Sequence, residues 1–342
     1  MNELHGFPVE TVVIFALLSL GAILIDLFAH RQDKAMSLKS ATLWTLFWIF
    51  ISIIFGLYLW WHHGKNTASL FFTGYALEKV LSVDNLFVMM AIFAWFKVPE
   101  QYRHRVLYWG IIGAIIFRMI FVAIGTGLLA LGAYVEVLFA LIVAWTAVMM
   151  LKNRDADNAD EDYSQHLAYR WVHRFFPVWP RLYGHYFFLN REKLALAQAN
   201  APDGSVEPSL HASNNLWTAT PLFLCLAVIE LSDVMFAFDS VPAVIAVSQE
   251  PLIVYSAMMF AILGLRSMYF VLEALKNDLV HLEKAVIFLL FFVAFKLALS
   301  ASQHIFHHDY DISPTASLFV VLISLALGVV ASFVFPKKEA TK

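Results

Sequence analysis

The chain has 342 residues, of which 61% are hydrophobic and only 14% charged, with a formal net charge of -3. A soluble domain carries about 25% charged residues, so the composition excludes an ordinary soluble enzyme and a basic nucleic-acid binder and points to an integral membrane protein. The single cysteine, Cys225, excludes a disulfide framework and a cysteine-based metal cluster.

A spanning helix needs roughly 20 mostly apolar residues. Nine segments qualify in chain order: 11–29, 41–61, 68–96, 106–131, 135–151, 217–247, 252–272, 285–303 and 315–335. The first is expected to be a retained helix, because no basic n-region or small-residue cleavage site accompanies it. The segment 217–247 is long enough to contain a break. Lys and Arg in the connections set the orientation. With the N-terminus outside, eighteen of the 23 fall on the inner side, only Lys65 on the outer side, and Lys79, Arg118, Arg266 and Lys296 within helices. This split predicts an all-α multipass protein with its N-terminus outside and its C-terminus in the cytoplasm.

The predicted organisation is 1–67, two N-terminal helices; 68–151, three helices; 152–216, a cytoplasmic polar region; 217–303, three helices; and 304–342, a last helix and tail. The polar region has an aromatic and basic centre, HLAYRWVHRFFPVWPRLYGHYFF. It reads either as a surface segment or docking site or as a flexible linker with a loosely packed lid.

EKVLSVDNLFV at 78–88 matches DVMFAFDSVPA at 233–243. The acids are six apart in both, Glu78 to Asp84 and Asp233 to Asp239, and Asn85 or Ser240 follows. One helix later, GAIIFRMIFV at 113–122 resembles AILGLRSMYFV at 261–271 and aligns Arg118 with Arg266. The two three-helix sets therefore form an expected inverted repeat, a plan common in secondary transporters with a polar site near the bilayer midplane.

Glu78, Asp84, Glu230, Asp233 and Asp239 lie in these membrane segments, and each charge there costs about 2.5–3.5 kcal/mol on insertion scales. Glu78, Ser82 and Asn85 share one helical face; Glu230, Asp233 and Ser240 share another. Residues six apart differ by about 120°, so Asp84 and Asp239 either pair with Arg118 and Arg266 or join the site through local unwinding near Gly74 or Pro242. Lys79 and Lys296 are expected to be pair partners or snorkelling residues. Carboxylate, amide and hydroxyl oxygens suit Mg²⁺, Ca²⁺ or Mn²⁺; a proton relay and purely structural ion pairs are the alternatives. His304, His307 and His308 form a weaker metal-capture candidate at the outer side. No nucleophile–base spacing suggests an enzyme, and no cofactor is expected.

The stretches GYALEKVLSVDNLFVMM, RHRVLYWGIIGAIIFR, VIELSDVMFAFDSVPAVIAV and AILGLRSMYFVL resemble the TerC family. The resemblance covers nearly the whole chain and is weakest at 190–216. It implies a multipass inner-membrane protein of the lysine-exporter-like superfamily, related to manganese exporters. The functional positions it implies are Glu78, Asp84, Asn85, Glu230, Asp233, Asp239 and Ser240, with Arg118 and Arg266 beside them. It also implies a role in tellurite resistance and a cytoplasmic TerB-type partner, with 152–216 the candidate docking surface. Membrane lipids are the other expected partner. The acids favour a cation whereas tellurite is an anion, so export of Mn²⁺ or Ca²⁺ is expected to act on resistance indirectly; a membrane scaffold that recruits resistance proteins is the alternative.

Overall fold

The computed structural model describes residues 3–4, 7–29, 36–129, 131–153, 163–199, 217–275, 281–307, 310 and 312–334. Side chains at 3, 4, 27–29, 153 and 239 also lie outside the description. The helices are α1 (Val9–Ala29), α2 (Leu38–Trp95), α3 (Glu100–Leu129), α4 (Ala133–Asn153), α5 (Leu167–Phe175), α6 (Arg191–Ala199), α7 (Pro221–Val247), α8 (Pro251–Ile262), α9 (Leu265–Leu275), α10 (Leu282–Phe306) and α11 (Pro314–Val334). Two short antiparallel pairs complete the described elements: β1 (Glu3–Leu4) with β2 (Phe7–Pro8), and β3 (Phe188–Leu189) with β4 (Thr218–Ala219). Seven of these helices are long and apolar enough to cross a membrane, and the bent pair α8–α9 makes an eighth span. The chain is an all-α multipass membrane protein.

The α2 segment has 58 residues. A straight helix of that length would run about 87 Å, nearly three hydrocarbon thicknesses. It does not run straight. Gly64 has φ 86° and ψ 174°, outside the helical region, a conformation glycine adopts without a Cβ clash. The Phe55 and Phe71 rings stand 5.2 Å apart, although sixteen residues of straight helix span about 24 Å. Thus α2 is a hairpin of two spanning arms. Its arms correspond to the expected segments 41–61 and 68–96, but helix fills the connection where a loop was expected.

Three other expectations need correction. The expected break near Gly74 is absent, because α2 is helical from Lys65 onward; Pro242 sits inside a continuous α7. The expected span 217–247 begins as a helix only at Pro221, after β4. The expected single helix 252–272 is instead α8 and α9, bent by 54°. Its break is Gly264, with φ 75°, packed against the indole of Trp48.

The core forms around stacked aromatic rings. Phe55 stacks on Phe260 at 4.8 Å, and Phe15 of α1 leans on both. The principal packed pairs are the second arm of α2 with α8–α9, α3 with α7, α2 with α7, and α4 with α10. Exchanging the set α2 (second arm), α3, α4 for the set α7, α8–α9, α10 leaves these pairings unchanged. The polar region is described over 163–199, where α5 and β3 pack on α7 and β4; 154–162 and 200–216 lie outside the described residues.

The Gly264 break gives a test. Gly264→Ala should destabilise the protein by about 1–3 kcal/mol, since alanine suffers both the positive φ and the Trp48 ring. Gly127→Ala meets no atom within 4 Å and should be neutral. Thermal unfolding in detergent reads the difference; equal midpoints for the two variants would contradict the assigned break.

Candidate functional site

The second arm of α2 presents Glu78, Ser82 and Asn85 on one face, as their i, i+4, i+7 spacing requires. Ser82 Oγ donates to Glu78 Oε1 at 3.2 Å. Arg118 enters from α3. One end of its guanidinium pairs with Glu78, while Nη2 reaches Asp233 Oδ1 of α7 at 3.4 Å. Asn85, with its amide oriented by its neighbours, accepts from the same Nη2 at 3.2 Å and donates to the Leu81 carbonyl at 3.2 Å. Glu78, Arg118 and Asp233 are 0%, 2% and 4% exposed.

Glu230 lies one turn before Asp233 on α7. Its carboxylate lies against Gly113 of α3, in space that any Cβ at 113 would occupy. Oxygens of Glu78, Asp233 and Glu230 are buried without a hydrogen-bonding partner among the described residues. The centre thus holds two acids from two helices on one guanidinium, with a third acid, Glu230, one turn before Asp233 and against α3. Arginine suits the position because its planar fork serves two carboxylates at once. With all three acids ionised the group carries a surplus of negative charge. In a low-dielectric interior that surplus demands a proton or a further cation.

The structure therefore brings together Glu78, Asn85, Arg118, Asp233 and Glu230. Ser240 shares the Asp233 face and is buried, but its hydroxyl finds no partner among the described residues. Asp84 is half-buried on regular helix, about 120° from Glu78. Asp239 lies in α7, with its side chain outside the described residues. Among the described residues no three His, Cys, Asp or Glu groups converge in a metal-like cluster. In this conformation Arg118, not a ligand shell, organises the carboxylates.

Arg266 departs from the expected symmetry. Its partner is Asp26 of α1, through the carboxylate at 3.4 Å and the backbone carbonyl. The solitary acid of the first segment was the available signal for this pairing. The lysines also differ from expectation. Lys79 donates to the carbonyls of Ala261 and Leu263, both at 3.0 Å, at the end of α8. Lys296 approaches the Val247 carbonyl at 3.4 Å, at the end of α7. Both cations sit at helix C-termini, where the macrodipole favours positive charge. At the other end of α4, buried Glu136 accepts from Gln249 at 2.8 Å and meets His304 Nδ1 at 3.2 Å. His304 is thus held by an acid rather than grouped with His307, which caps α10 in a left-handed conformation; His308 lies outside the described residues.

A family model described as "Integral membrane protein TerC family" matches residues 63–340. The chain belongs to the TerC family. It is 68% identical over 337 residues to a tellurium resistance protein TerC of Serratia marcescens, covering 98% of this chain and 97% of the relative. A tellurium resistance protein TerC of an Alcaligenes species is 66% identical over 333 residues, covering 97% and 96%. A putative membrane-bound redox modulator Alx of Photorhabdus laumondii is 32% identical over 303 residues, covering 85% and 86%. No solved structure matches.

Removing one partner of a buried ion pair costs about 3–5 kcal/mol. Arg118→Gln should therefore lower stability by that order, and Arg118→Gln/Glu78→Gln should recover part of the loss by removing the stranded charge. A double-mutant cycle on detergent-solubilised protein reads the coupling. Strictly additive losses would contradict the pairing.

Proposed function

We propose that this TerC-family protein is a divalent-cation transporter of the bacterial inner membrane. It exports Mn²⁺ or Ca²⁺ through the centre formed by Glu78, Asp233 and Glu230. The observation that carries this reading is the buried guanidinium of Arg118 shared between α2 and α7, beside a third acid. Such a centre has excess carboxylate for one fixed cation. Its oxygens are hard donors suited to Mn²⁺ and Ca²⁺.

In this mechanism Arg118 is the resident counter-ion. It holds the two carboxylate helices together when no cargo is present. A divalent ion entering between Glu78 and Asp233 takes over the neutralisation and releases the guanidinium. Return of Arg118 then competes with the bound ion and favours its departure. Glu230 adds a carboxylate on the α3 side, in the space left by Gly113. Asp84, Asn85, Asp239 and Ser240 are the other oxygen-bearing positions along the two motif helices.

The tellurium-resistance names of the relatives extend to this chain as a contribution to tellurite resistance. Tellurite is an anion and this centre is lined by acids, so resistance follows indirectly from cation homeostasis. The Lys and Arg asymmetry supports an N-terminus outside and the polar region 152–216 at the inner leaflet.

Flux of Mn²⁺ into sealed liposomes carrying the purified protein, with Ca²⁺ as competitor, tests the proposal. Asp233→Asn and Glu78→Gln should each lower flux at least about tenfold, the equivalent of ~1.4 kcal/mol. Arg118→Lys keeps the charge without the two-sided fork, and should retain Mn²⁺ binding while slowing flux. Unchanged flux in both folded acid variants would overturn the site. Absence of flux in the wild type, with Mn²⁺ still bound, would instead favour a scaffold with a structural ion that recruits a TerB-type protein through 152–216.

A further inference from the structure

Helix α5, LAYRWVHRF, does not cross the membrane, having only nine residues. Its buried side is Ala168 and Val172. Val172 packs with Leu224 in the first turn of α7, and Phe96, Tyr169 and Phe223 complete the cluster. Tyr169 also meets Trp95, the last residue of α2, with ring centroids 5.9 Å apart. The helix is therefore seated at the height where two spanning helices end. These are the helices that carry Glu78 and Asp233.

The side of α5 next to this buried face is unusual for a helix facing water. Leu167, Trp171 and Phe175 follow i, i+4, i+8 and are 55%, 58% and 68% exposed. Arg170 and Arg174 are exposed on the same side and lie along one edge of this stripe. At 100° per residue, the five side chains occupy one continuous sector of the helix. Trp217, beside β4, is a further exposed aromatic of this region at 56%, in ring contact with Phe188. A stripe of Trp, Phe and Leu edged by arginines suits a helix lying in the membrane interface. The rings enter the acyl boundary, and the arginine stems reach along them to place their guanidinium groups among headgroups.

We propose that α5 is an in-plane membrane anchor that binds the anionic phospholipid surface of the leaflet at which α2 ends and α7 begins. Two observations select lipid as the occupant. Helix α5 is seated where α2 ends and α7 begins, the level at which spanning helices leave the hydrocarbon. Its charged edge is purely cationic, which complements phosphate-bearing headgroups of net negative charge. The anchor ties the ends of α2 and α7 to the bilayer surface, so the lipid charge of that leaflet acts on the two helices that hold the carboxylates.

The test uses the full chain carrying a nitroxide label at Trp171→Cys, in nanodiscs of phosphatidylcholine alone or of equal parts phosphatidylcholine and phosphatidylglycerol. Native Cys225 is fully buried and does not compete for the label. Collisions with a water-soluble nickel chelate should be at least about threefold rarer at position 171 than at an exposed control, Glu192→Cys on α6, as interfacial insertion requires. The shielding should deepen when phosphatidylglycerol is present, and Arg170→Glu/Arg174→Glu should remove that increment. Equal collision rates at 171 and 192 in both discs would overturn the proposal and mark the face as a water-exposed surface open to a protein partner. Shielding that ignores both phosphatidylglycerol and the double substitution would overturn the anionic-lipid assignment.

Discussion

One guanidinium, that of Arg118, holds the centre of this protein together. A charge in the middle of a bilayer is tolerated only with compensation, and here the compensation is shared between two helices. Glu78 comes from the second arm of α2 and Asp233 from α7, with Arg118 between them on α3. Neither carboxylate is satisfied by its own helix alone. The three helices must therefore pack as a unit, and the missing Cβ of Gly113 leaves room for Glu230 against α3. The arrangement binds the helices and, with every acid ionised, is too acidic to be neutral on its own.

The remaining buried cations solve a different problem. A helix that breaks inside a membrane leaves carbonyls without intrahelical partners, and lipid cannot supply them. The α8–α9 break at Gly264 does this. Lys79, the neighbour of Glu78 in sequence but 100° away around the helix, supplies donors to Ala261 and Leu263. Adjacent charges in one motif thus serve separate tasks, one electrostatic and one as a cap. Lys296 serves the end of α7 in a comparable way.

Much of this was legible from the chain itself. Long apolar segments gave the spans, and the spacing of Glu78, Ser82 and Asn85 gave a polar face that the folded protein uses. Arg118 was legible as an ion-pair partner, but its specific acids were not. From the sequence, Asp84 and Asp239 were the acids offered as arginine partners, whereas Arg118 meets Glu78 and Asp233, because helical period alone leaves the rotation of one helix against another undetermined. The two arms of α2 were expected as separate spans, but the helical form of their connection was not, since nothing in composition separates a helical corner from a loop. Local unwinding near Pro242 was one alternative, yet α7 accommodates that proline. Gly264 carries the bend because it accepts a positive φ and leaves room for Trp48. The Asp26–Arg266 pairing joins distant segments, and only tertiary packing reveals it.

The two arginines aligned by the repeated motifs are not equivalent in the folded chain. Arg118 faces acids of both three-helix sets. Arg266 is engaged by Asp26 of α1, a helix that belongs to neither set. Arg266 cannot change partners without detaching α1. Arg118, by contrast, sits where any relative motion of α2 and α7 changes its contacts directly. The duplicated pattern therefore yields two unlike arginines, one shared between the two three-helix sets and one tied to α1. Removing either should loosen a different set of helices, because the buried charge each strands lies on different neighbours.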